Sequence, residues 1–467
     1  MRILLISVNR ERMPYPVFPL GLAYIASVLG EGGHQLRILD LCFCEDVEEE
    51  MKVEISRWRP DLIGLSLRNL DNLTYPTSLS YLPELEEVVT LCRSYSKARI
   101  VIGGSGFSLA PLEIMRSLEI DFGVVGEGEN PILSTVRCLE RGIPVKGIPG
   151  MIVRADLPEK VPPIDRVKVI GFPQRDLLDN GRYLHQGGMG NIQTKRGCPF
   201  GCIYCTYPFL EGSSVRMRPV KDVLKELRVM KERYGVDYVY FVDDIFNFPQ
   251  DHALGLCRSM AGERLGVKWT AFVNPGFVDE ELIGSMKEAG CMGIEFGTDS
   301  GSPEMLSRLG KSFSADDISR ASEICKRVGI PFAHYLLLGG PGESEKTLEE
   351  TAALMDHLEP TAVIVMVGIR IYTGTPLEDI SRSEGVIGPD ADLRYPHFYV
   401  SPRLRDEIPS WVSQKAMERN TWIVPGLEVN ISRNMMEHIR RFHVRGPLWD
   451  LVSRMKRSRV RPLSEEG

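Results

Sequence analysis

Short β-rich runs that alternate with helical patterns constrain the fold of this chain more than any other feature. In the first 155 residues, the β-rich runs lie at 2–8, 35–41, 61–67, 99–104 and 122–128. The segments between them, such as 20–33 and 45–58, are long enough to form helices. Strands joined by helical crossovers form a parallel sheet with helices on both faces. We therefore predict an α/β protein whose residues 1–155 form a doubly wound, Rossmann-like sheet, with ligands at the carboxyl ends of its strands.

A second alternating series follows a segment rich in Pro and Gly, 156–190, which we predict to be a linker. Its probable strands lie at 191–195, 238–243, 268–273, 292–297, 332–338 and 362–371. Six such units predict a partial (β/α)6 barrel over residues 191–385, with the functional residues on the loops after the strands. The strand pattern stops near residue 385. We expect residues 386–467 to form a mostly helical cap that contributes to substrate binding.

Composition narrows the class of protein. The 467 residues include no apolar run long enough to cross a membrane, and the first residues become polar too soon for a signal peptide. Ten cysteines without a secretory signal indicate a reducing compartment, so we expect a cytoplasmic protein. The net charge of −7 gives no general attraction to nucleic acid.

Basic residues concentrate near the C-terminus. They are Arg440, Arg441, Arg445, Arg454, Lys456, Arg457 and Arg459. A solvated helix and tail explain them most simply, and contact with an anionic partner or a membrane surface is the alternative.

Three cysteines stand apart from the others because Cys198, Cys202 and Cys205 share one short loop after a predicted strand. Three thiolates bind three irons of a [4Fe–4S] cubane and leave the fourth iron open for a substrate or cofactor. A structural zinc site would need a fourth ligand nearby, and His185 is too far upstream. An electron-transfer ferredoxin would supply four cysteines, and neither Cys257 nor Cys291 belongs to a motif.

The Cys-x3-Cys-x2-Cys spacing, with an aromatic residue before the last cysteine, resembles the signature of the radical S-adenosylmethionine (SAM) superfamily. The resemblance implies that SAM binds the open iron and that an electron from the cluster cleaves it to a 5′-deoxyadenosyl radical. Segments 241–247, 294–301, 334–344 and 371–377 resemble, more loosely, the SAM-contacting strand ends of that family. The residues implied to bind SAM are Tyr204, Asp243, Asp244, Glu295, Ser300, Gly339 and Gly340. The two aspartates could instead cap a helix, and the glycines could form a turn.

The first domain resembles the cobalamin-binding domain that precedes the barrel in one large subclass. The resemblance lies in segments 19–29, 60–69, 101–108 and 121–130. It implies cobalamin contacts from Ser66, Arg68, Asn69, Gly103, Gly104, Gly126, Glu127, Gly128 and Glu129. The Asp-x-His-x-x-Gly motif that ligates cobalt is missing, and His34 does not fit it. We therefore expect cobalamin without a protein histidine on cobalt.

Arg68 departs from the pattern of the family, and the stretch from Arg68 to Gly103 is longer than usual. Arg68 follows an apolar strand at the place where the lower face of the corrin would lie, and a cation there disfavours a donor ligand on cobalt. The alternative is a structural salt bridge from Arg68 to Asp71 or Asp61.

These resemblances imply a cobalamin-dependent methyltransferase that moves a methyl group from SAM to a carbon of a small-molecule, lipid or natural-product substrate. A cyclase or rearrangement enzyme without methyl transfer is the first alternative, and a non-catalytic iron–sulfur protein is the second. An external flavodoxin- or ferredoxin-type donor would supply electrons. The residues suggested to line the substrate pocket are Tyr335, Arg370, Tyr372, Tyr395 and His397. The sequence does not identify the catalytic residues, and the candidates are Arg68, Tyr335, Arg370 and Tyr372.

Overall fold

The computed structural model describes residues 1–432, 434–435 and 444–452. Within them the chain forms two large β-sheets with helices packed against them. The first sheet uses residues 2–153 and the second uses residues 190–423. The α/β class predicted from the sequence is confirmed.

The first sheet has six strands. They are β1 (Arg2–Ser7), β2 (Gln35–Asp40), β3 (Leu62–Ser66), β4 (Arg99–Gly103), β5 (Phe122–Val124) and β6 (Met151–Val153). The accompanying helices are α1 (Leu20–Glu31), α2 (Val47–Trp58), α3 (Leu82–Tyr95), α4 (Ser105–Leu109), α5 (Pro111–Ser117) and α6 (Glu129–Glu140). The strand order is β2-β1-β3-β4-β5-β6, and only β6 runs antiparallel to its neighbour. Because helices cover both faces, the central strands are continuous apolar runs such as the buried Ile3–Ile6 of β1.

Residues 154–217 connect the two sheets and include the cysteine loop. Their helices are α7 (Asn180–Gly187) and α8 (Tyr207–Leu210), and their strands are β7 (Gly190–Ile192), β8 (Lys195–Arg196) and β9 (Arg216–Met217). The strand β7 is one edge of the second sheet, whereas β8 and β9 pair with each other. The cysteine loop, 197–206, begins directly after β8.

The second sheet is the predicted partial barrel. Its further strands are β10 (Tyr238–Phe241), β11 (Lys268–Val273), β12 (Cys291–Asp299), β13 (Phe332–Leu338) and β14 (Ala362–Val367). The helices along this part are α9 (Val220–Tyr234), α10 (Gln250–Gly262), α11 (Glu280–Glu288), α12 (Pro303–Arg308), α13 (Ala315–Val328) and α14 (Glu345–Leu358). All neighbouring strands are parallel, so their carboxyl ends meet at one rim.

The C-terminal part is helical in places and also completes the barrel. It contains β15 (Ile369–Arg370), α15 (Pro376–Ser383), β16 (Phe398–Tyr399), α16 (Ile408–Glu418) and β17 (Trp422–Ile423). The strand β17 pairs with β14 and forms the outer edge of the second sheet, whose order is β17-β14-β13-β12-β11-β10-β7. The sequence pattern did not reveal this strand because two residues are too few to show a period.

No helix in the described ranges is long and apolar enough to cross a membrane. In the basic C-terminal group, Arg445 forms an ion pair with Asp237. The other members, Arg440, Arg441, Arg454, Lys456, Arg457 and Arg459, lie outside the described residues.

Candidate active site

The cysteine loop is held in place by backbone contacts on two sides. Gly197 has φ +99°, and a Cβ there would stand 2.3 Å from the carbonyl oxygen of Ser214, so only glycine fits at this position. Cys198 N donates to Gly212 O at 3.0 Å, and Ile203 N donates to Leu309 O at 3.1 Å. The loop conformation is therefore set by neighbouring segments before any cofactor binds.

The three thiols are partly or fully buried and close enough to influence one another. Burial raises the pKa of Cys198 to about 11 and, together with Cys202 and Cys198, raises that of Cys205 to about 12. Such thiols become thiolates only when a cation binds them, and iron supplies that charge. Among the described residues, no three potential ligands converge on one ion. A cubane does not require such convergence, because its cysteines bind different irons, so the loop fits a [4Fe–4S] cluster.

The two predicted aspartates after β10 have different environments. Asp243 accepts hydrogen bonds from Thr194 N at 2.6 Å, Thr194 Oγ1 at 2.5 Å and Lys195 Nζ at 3.2 Å. It therefore fixes the strand that leads into the cysteine loop. Asp244 is half-buried as a residue, but both of its carboxylate oxygens are buried and have no hydrogen-bond partner in the described structure. Burial and the nearby carboxylates of Glu211 and Asp243 raise the pKa of Asp244 well above its usual value. An orphaned buried carboxylate beside the cysteines fits the amino group of SAM.

The other residues predicted for SAM are spread over the barrel rim and interior. Glu295 lies inside the barrel, where it accepts hydrogen bonds from Trp449 Nε1 at 2.7 Å and Tyr240 Oη at 2.8 Å. Ser300 is buried against Thr351, with 2.9 Å between their hydroxyl oxygens. Gly339 and Gly340 follow β13, and Gly339 has φ +99°.

A cavity of about 700 Å³ lies between the first sheet and the cysteine loop. All nine residues predicted to contact cobalamin line it: Ser66, Arg68, Asn69, Gly103, Gly104, Gly126, Glu127, Gly128 and Glu129. Tyr204 and Cys205 line its other side. Gly104 has φ +100°, and a Cβ there would stand 2.4 Å from the carbonyl oxygen of Leu67. Only glycine fits at this position, so no side chain stands between the backbone and a ligand in the cavity. The cavity fits a large planar ligand at the strand ends, as cobalamin requires.

Arg68 lines both this cavity and a smaller one of about 120 Å³. Burial lowers the pKa of Arg68. The salt bridge considered from the sequence is absent in the described structure. Asp71 pairs with Arg370 at 2.8 Å, and Asp61 pairs with Arg2 at 3.9 Å. The salt-bridge alternative is therefore wrong, because both aspartates already hold other arginines.

Glu127 and Glu129 line the cavity, but their carboxylates point to the barrel segment. Arg196 lies 2.7 Å from Glu129 and 3.5 Å from Glu127. Arg216 and the backbone N–H of Val167 also donate to Glu127. These ion pairs tie the loop after β5 to the strands that flank the cysteine loop.

The residues suggested for the substrate pocket do not share one place. Tyr372 lines the large cavity, and Arg370 stacks over its ring with 4.7 Å from the guanidinium carbon to the ring centroid. Tyr335 lies in the barrel interior against Phe272. Tyr395 is exposed, and the backbone carbonyl of His397 accepts a hydrogen bond from Ile371 N.

Sequence reasoning missed Glu211, Asp299 and Lys311. Glu211 lines the cavity beside Asp244 and accepts hydrogen bonds from Gly197 N and Gln193 Nε2. Asp299 and Lys311 form a buried ion pair of 2.7 Å next to the cysteine loop. Glu211 belongs to no motif, and Asp299 and Lys311 are far in sequence from the cysteines. Only the fold shows that all three lie near the cysteine loop.

Comparison with known proteins agrees with this geometry. Residues 192–355 match the radical SAM superfamily, and residues 6–135 match the B12 binding domain. The chain is 30% identical over 351 residues to an uncharacterized methyltransferase of Pyrococcus horikoshii, with 73% of each chain covered. It is 25% identical over 450 residues to the tryptophan 2-C-methyltransferase of Streptomyces laurentii, which covers 81% of this chain and 75% of that relative.

The fold is also that of a solved structure, the radical SAM methyltransferase TsrM from Kitasatospora setae, with a TM-score of 0.87. The two chains are 22% identical, and the match covers 98% of this chain and 99% of the other. The present chain belongs to the radical SAM superfamily. Within it, the B12 binding domain places the chain among the cobalamin-dependent radical SAM methyltransferases, whose cofactors are the [4Fe–4S] cluster, SAM and cobalamin.

Proposed function

We propose that this enzyme transfers a methyl group from SAM, by way of cobalamin, to a carbon atom of a small-molecule substrate. The observation that carries the proposal is the single cavity that has the predicted cobalamin residues on one side and Tyr204 and Cys205 on the other. When bound, the cluster supplies the electron that cleaves SAM, and cobalamin carries the methyl group. The protein aligns these groups across the cavity.

Cys198, Cys202 and Cys205 hold the cluster, and Asp244 holds the amino group of SAM. An ammonium group next to the two unpartnered oxygens of Asp244 would replace the missing hydrogen bonds and balance the charge. Asp243 acts indirectly on the cysteine loop, because its hydrogen bonds fix Thr194 and Lys195 just before that loop. The resemblance assigns Gly339 and Gly340, which follow β13, to the adenine of SAM.

When cobalamin is bound, Arg68 would keep a donor ligand away from cobalt. Its side chain has no ion-pair partner in the described structure, and the residue lines both the large cavity and the small one. Cobalamin would then bind without a protein nitrogen on its lower face. A cation there disfavours ligand donation to cobalt and suits transfer of the methyl group.

The substrate occupies the space between the cavity and the barrel interior. Tyr240, Phe272 and Tyr335 form an aromatic wall in that interior. The ring centroids of Tyr240 and Phe272 are 6.3 Å apart, and those of Phe272 and Tyr335 are 4.9 Å apart. Open space lies where a Cβ of Gly297 would stand. This wall suits a planar or apolar group. Tryptophan, which the Streptomyces relative methylates according to its name, is the first compound to test.

The electron donor is a flavodoxin- or ferredoxin-type protein, since the cluster needs a low-potential reductant. The exposed side chain of Phe209, shortly after the cysteine loop, gives such a protein an apolar contact near the cluster. For the basic residues near the C-terminus, contact with a membrane surface is a secondary proposal.

Product stoichiometry under a low-potential reductant tests the function. The reconstituted enzyme is supplied with methyl-labelled SAM and candidate substrates, and its products are measured by mass spectrometry. If two SAM molecules serve different roles, each labelled product is accompanied by one S-adenosylhomocysteine and one 5′-deoxyadenosine. Deoxyadenosine without labelled product would instead identify a cyclase or rearrangement enzyme. Labelled product without deoxyadenosine would identify polar methyl transfer.

A further inference from the structure

Three side chains next to the cysteine loop form a hydrogen-bonded group, and two of them, Asp299 and Lys311, have no part in the proposed function. We refer to Tyr204, Asp299 and Lys311 as the Lys311 triad. Lys311 Nζ donates to Asp299 Oδ2 at 2.7 Å and to Tyr204 Oη at 3.4 Å. The Tyr204 hydroxyl donates to the same oxygen of Asp299. The side chains of Lys311 and Asp299 are only 7% and 6% exposed, so water screens their charges poorly.

The backbone fixes the triad against the cysteine loop. Asp299 ends β12 with φ +63°, a conformation that a residue other than glycine adopts only when its surroundings impose it. Lys311 follows Gly310, where a Cβ would stand 2.6 Å from the carbonyl oxygen of Gly201 in the cysteine loop. Ile203 N also donates to Leu309 O at 3.1 Å. The charge of Lys311 is therefore held at a fixed place beside the cluster ligands.

The triad acts unequally on Cys202. The charged groups of the triad act on Cys202 with opposite signs, and Lys311 acts more strongly than Asp299. The Tyr204 hydroxyl, whose proton is donated to Asp299, acts on Cys202 in the same direction as Lys311. The net effect of the triad at the sulfur is that of a positive charge.

We propose that Lys311, positioned by Asp299 and Tyr204, raises the reduction potential of the [4Fe–4S] cluster. Reduction adds one electron from the external donor to the cluster, and no covalent bond forms or breaks in that step. The reduced cluster carries one more negative charge, so a fixed cation beside a ligand sulfur stabilises it relative to the oxidised cluster. This inference rests on the proposed function, because it requires the cluster to be present.

A redox titration followed by electron paramagnetic resonance tests the proposal on the full chain, reconstituted without oxygen and studied without SAM. In Lys311→Met, we expect the ratio of reduced to oxidised cluster at a fixed potential to fall about tenfold, which is about 59 mV for one electron. Lys311→Arg, which keeps the charge, should retain most of the wild-type potential. Lys287→Met removes a surface lysine that donates to the carbonyl of Val328, and it should not change the potential.

Asp299→Asn distinguishes a charge effect from a loss of structure. Removing the carboxylate leaves the positive charge of Lys311 unbalanced, so the potential should rise, opposite to Lys311→Met. Tyr204→Phe should lower the potential by less than Lys311→Met does, since it removes a hydroxyl that contacts Lys311 and Asp299 but keeps both of their charges. If the Lys311→Met variant assembles no cluster, the potentials of Asp299→Asn and Tyr204→Phe test the proposal in its place.

Equal shifts in the same direction for Lys311→Met and Asp299→Asn, or an unchanged potential in variants with intact clusters, would overturn the proposal. In that case the wild-type protein would still cleave SAM, and the proposed function would stand. A wild-type protein that assembles no cluster would overturn both.

Discussion

Arg196 and Glu129 face each other across the boundary between the two sheets, with 2.7 Å between Nη1 and a carboxylate oxygen. Their side chains are 7% and 12% exposed. Burial opposes the charged form of Arg196, but Glu129 and Glu127 together raise its pKa. This ion pair fixes one wall of the cobalamin cavity to the strand that leads into the cysteine loop.

Breaking that pair should destabilise the protein. In Glu129→Gln, the guanidinium of Arg196 loses its nearest carboxylate while buried, and we expect a loss of about 3–5 kcal/mol in the free energy of unfolding. Urea unfolding of the protein without cofactors measures this loss. The exposed pair Arg228–Glu263 is the matched control, and Arg228→Ala should cost less than about 1 kcal/mol. Equal costs for the two variants would contradict a role for Arg196 in joining the domains.

The cysteine triad should hold the whole cluster. Wild-type protein reconstituted without oxygen should contain about four iron and four sulfide per chain, as a cubane requires. Replacing Cys198, Cys202 and Cys205 together with Ala should abolish both, measured by iron and sulfide analysis. Replacing the buried Cys92, Cys257 and Cys325 with Ala serves as the control and should leave the iron content unchanged. A variant without the triad that retained a SAM-cleaving cluster would refute the assignment.

Asp244 should bind the amino group of SAM. Asp244→Asn should weaken SAM binding by about 1.5–3 kcal/mol, the range for a hydrogen bond to a charged group. Equilibrium dialysis with labelled SAM and cluster-loaded protein measures the affinity. Asp251→Asn, on the exposed side of α10, is the control and should bind SAM as the wild type does. If Asp244→Asn bound SAM with unchanged affinity, a different carboxylate at the barrel rim would have to bind the amino group of SAM.

The raised pKa of Asp244 also predicts how stability depends on pH. The folded protein binds a proton at Asp244 more tightly than the unfolded chain does, so this residue destabilises the fold increasingly as pH rises above the unfolded value of about 3.9. The penalty becomes constant above the raised pKa of the folded state. Asn carries no such penalty. The melting temperature of cofactor-free Asp244→Asn should therefore exceed that of the wild type by an amount that grows with pH. A difference independent of pH would contradict this.

Arg68 should determine the state of bound cobalamin. In the wild type, the electron paramagnetic resonance spectrum of cob(II)alamin should show no nitrogen superhyperfine splitting, because the described residues that line the cavity include no histidine. Arg68→Ala should alter this spectrum and lower turnover. Arg2→Ala, at the opposite end of the first sheet, is the control. Nitrogen splitting in the wild type would show that a protein or cofactor nitrogen occupies the lower face.

The sequence predicted the parts of the site that depend on local pattern. Apolar runs identified the central strands of both sheets because parallel strands are buried on both faces. The spacing of Cys198, Cys202 and Cys205 identified the cluster loop for a similar reason, since its chemistry requires ligands close in sequence. The nine cavity residues followed from resemblance at the strand ends.

Contacts between distant segments could not be predicted. Asp243 and Asp244 look equivalent in sequence, and only the fold shows that Thr194 and Lys195 occupy the first and leave the second without a partner. Lys311 lies more than a hundred residues after the cysteines and meets them because α12 and Gly310 pack on the cysteine loop. The hydrogen bond from Trp449 to Glu295 likewise depends on how the C-terminal segment returns to the barrel.

The short strand β17 has a consequence for the shape of any shortened protein. Its pairing with β14 covers one lateral edge of the barrel sheet, with Val363 opposite Trp422 and Ile364 opposite Ile423. A chain cut at residue 385, where the strand pattern of the sequence fades, would leave the backbone amides and carbonyls of β14 unpaired along that edge. Exposed edges of this kind recruit strands from other copies. Such a fragment should aggregate even though every residue that we predict to bind a cofactor is present in it.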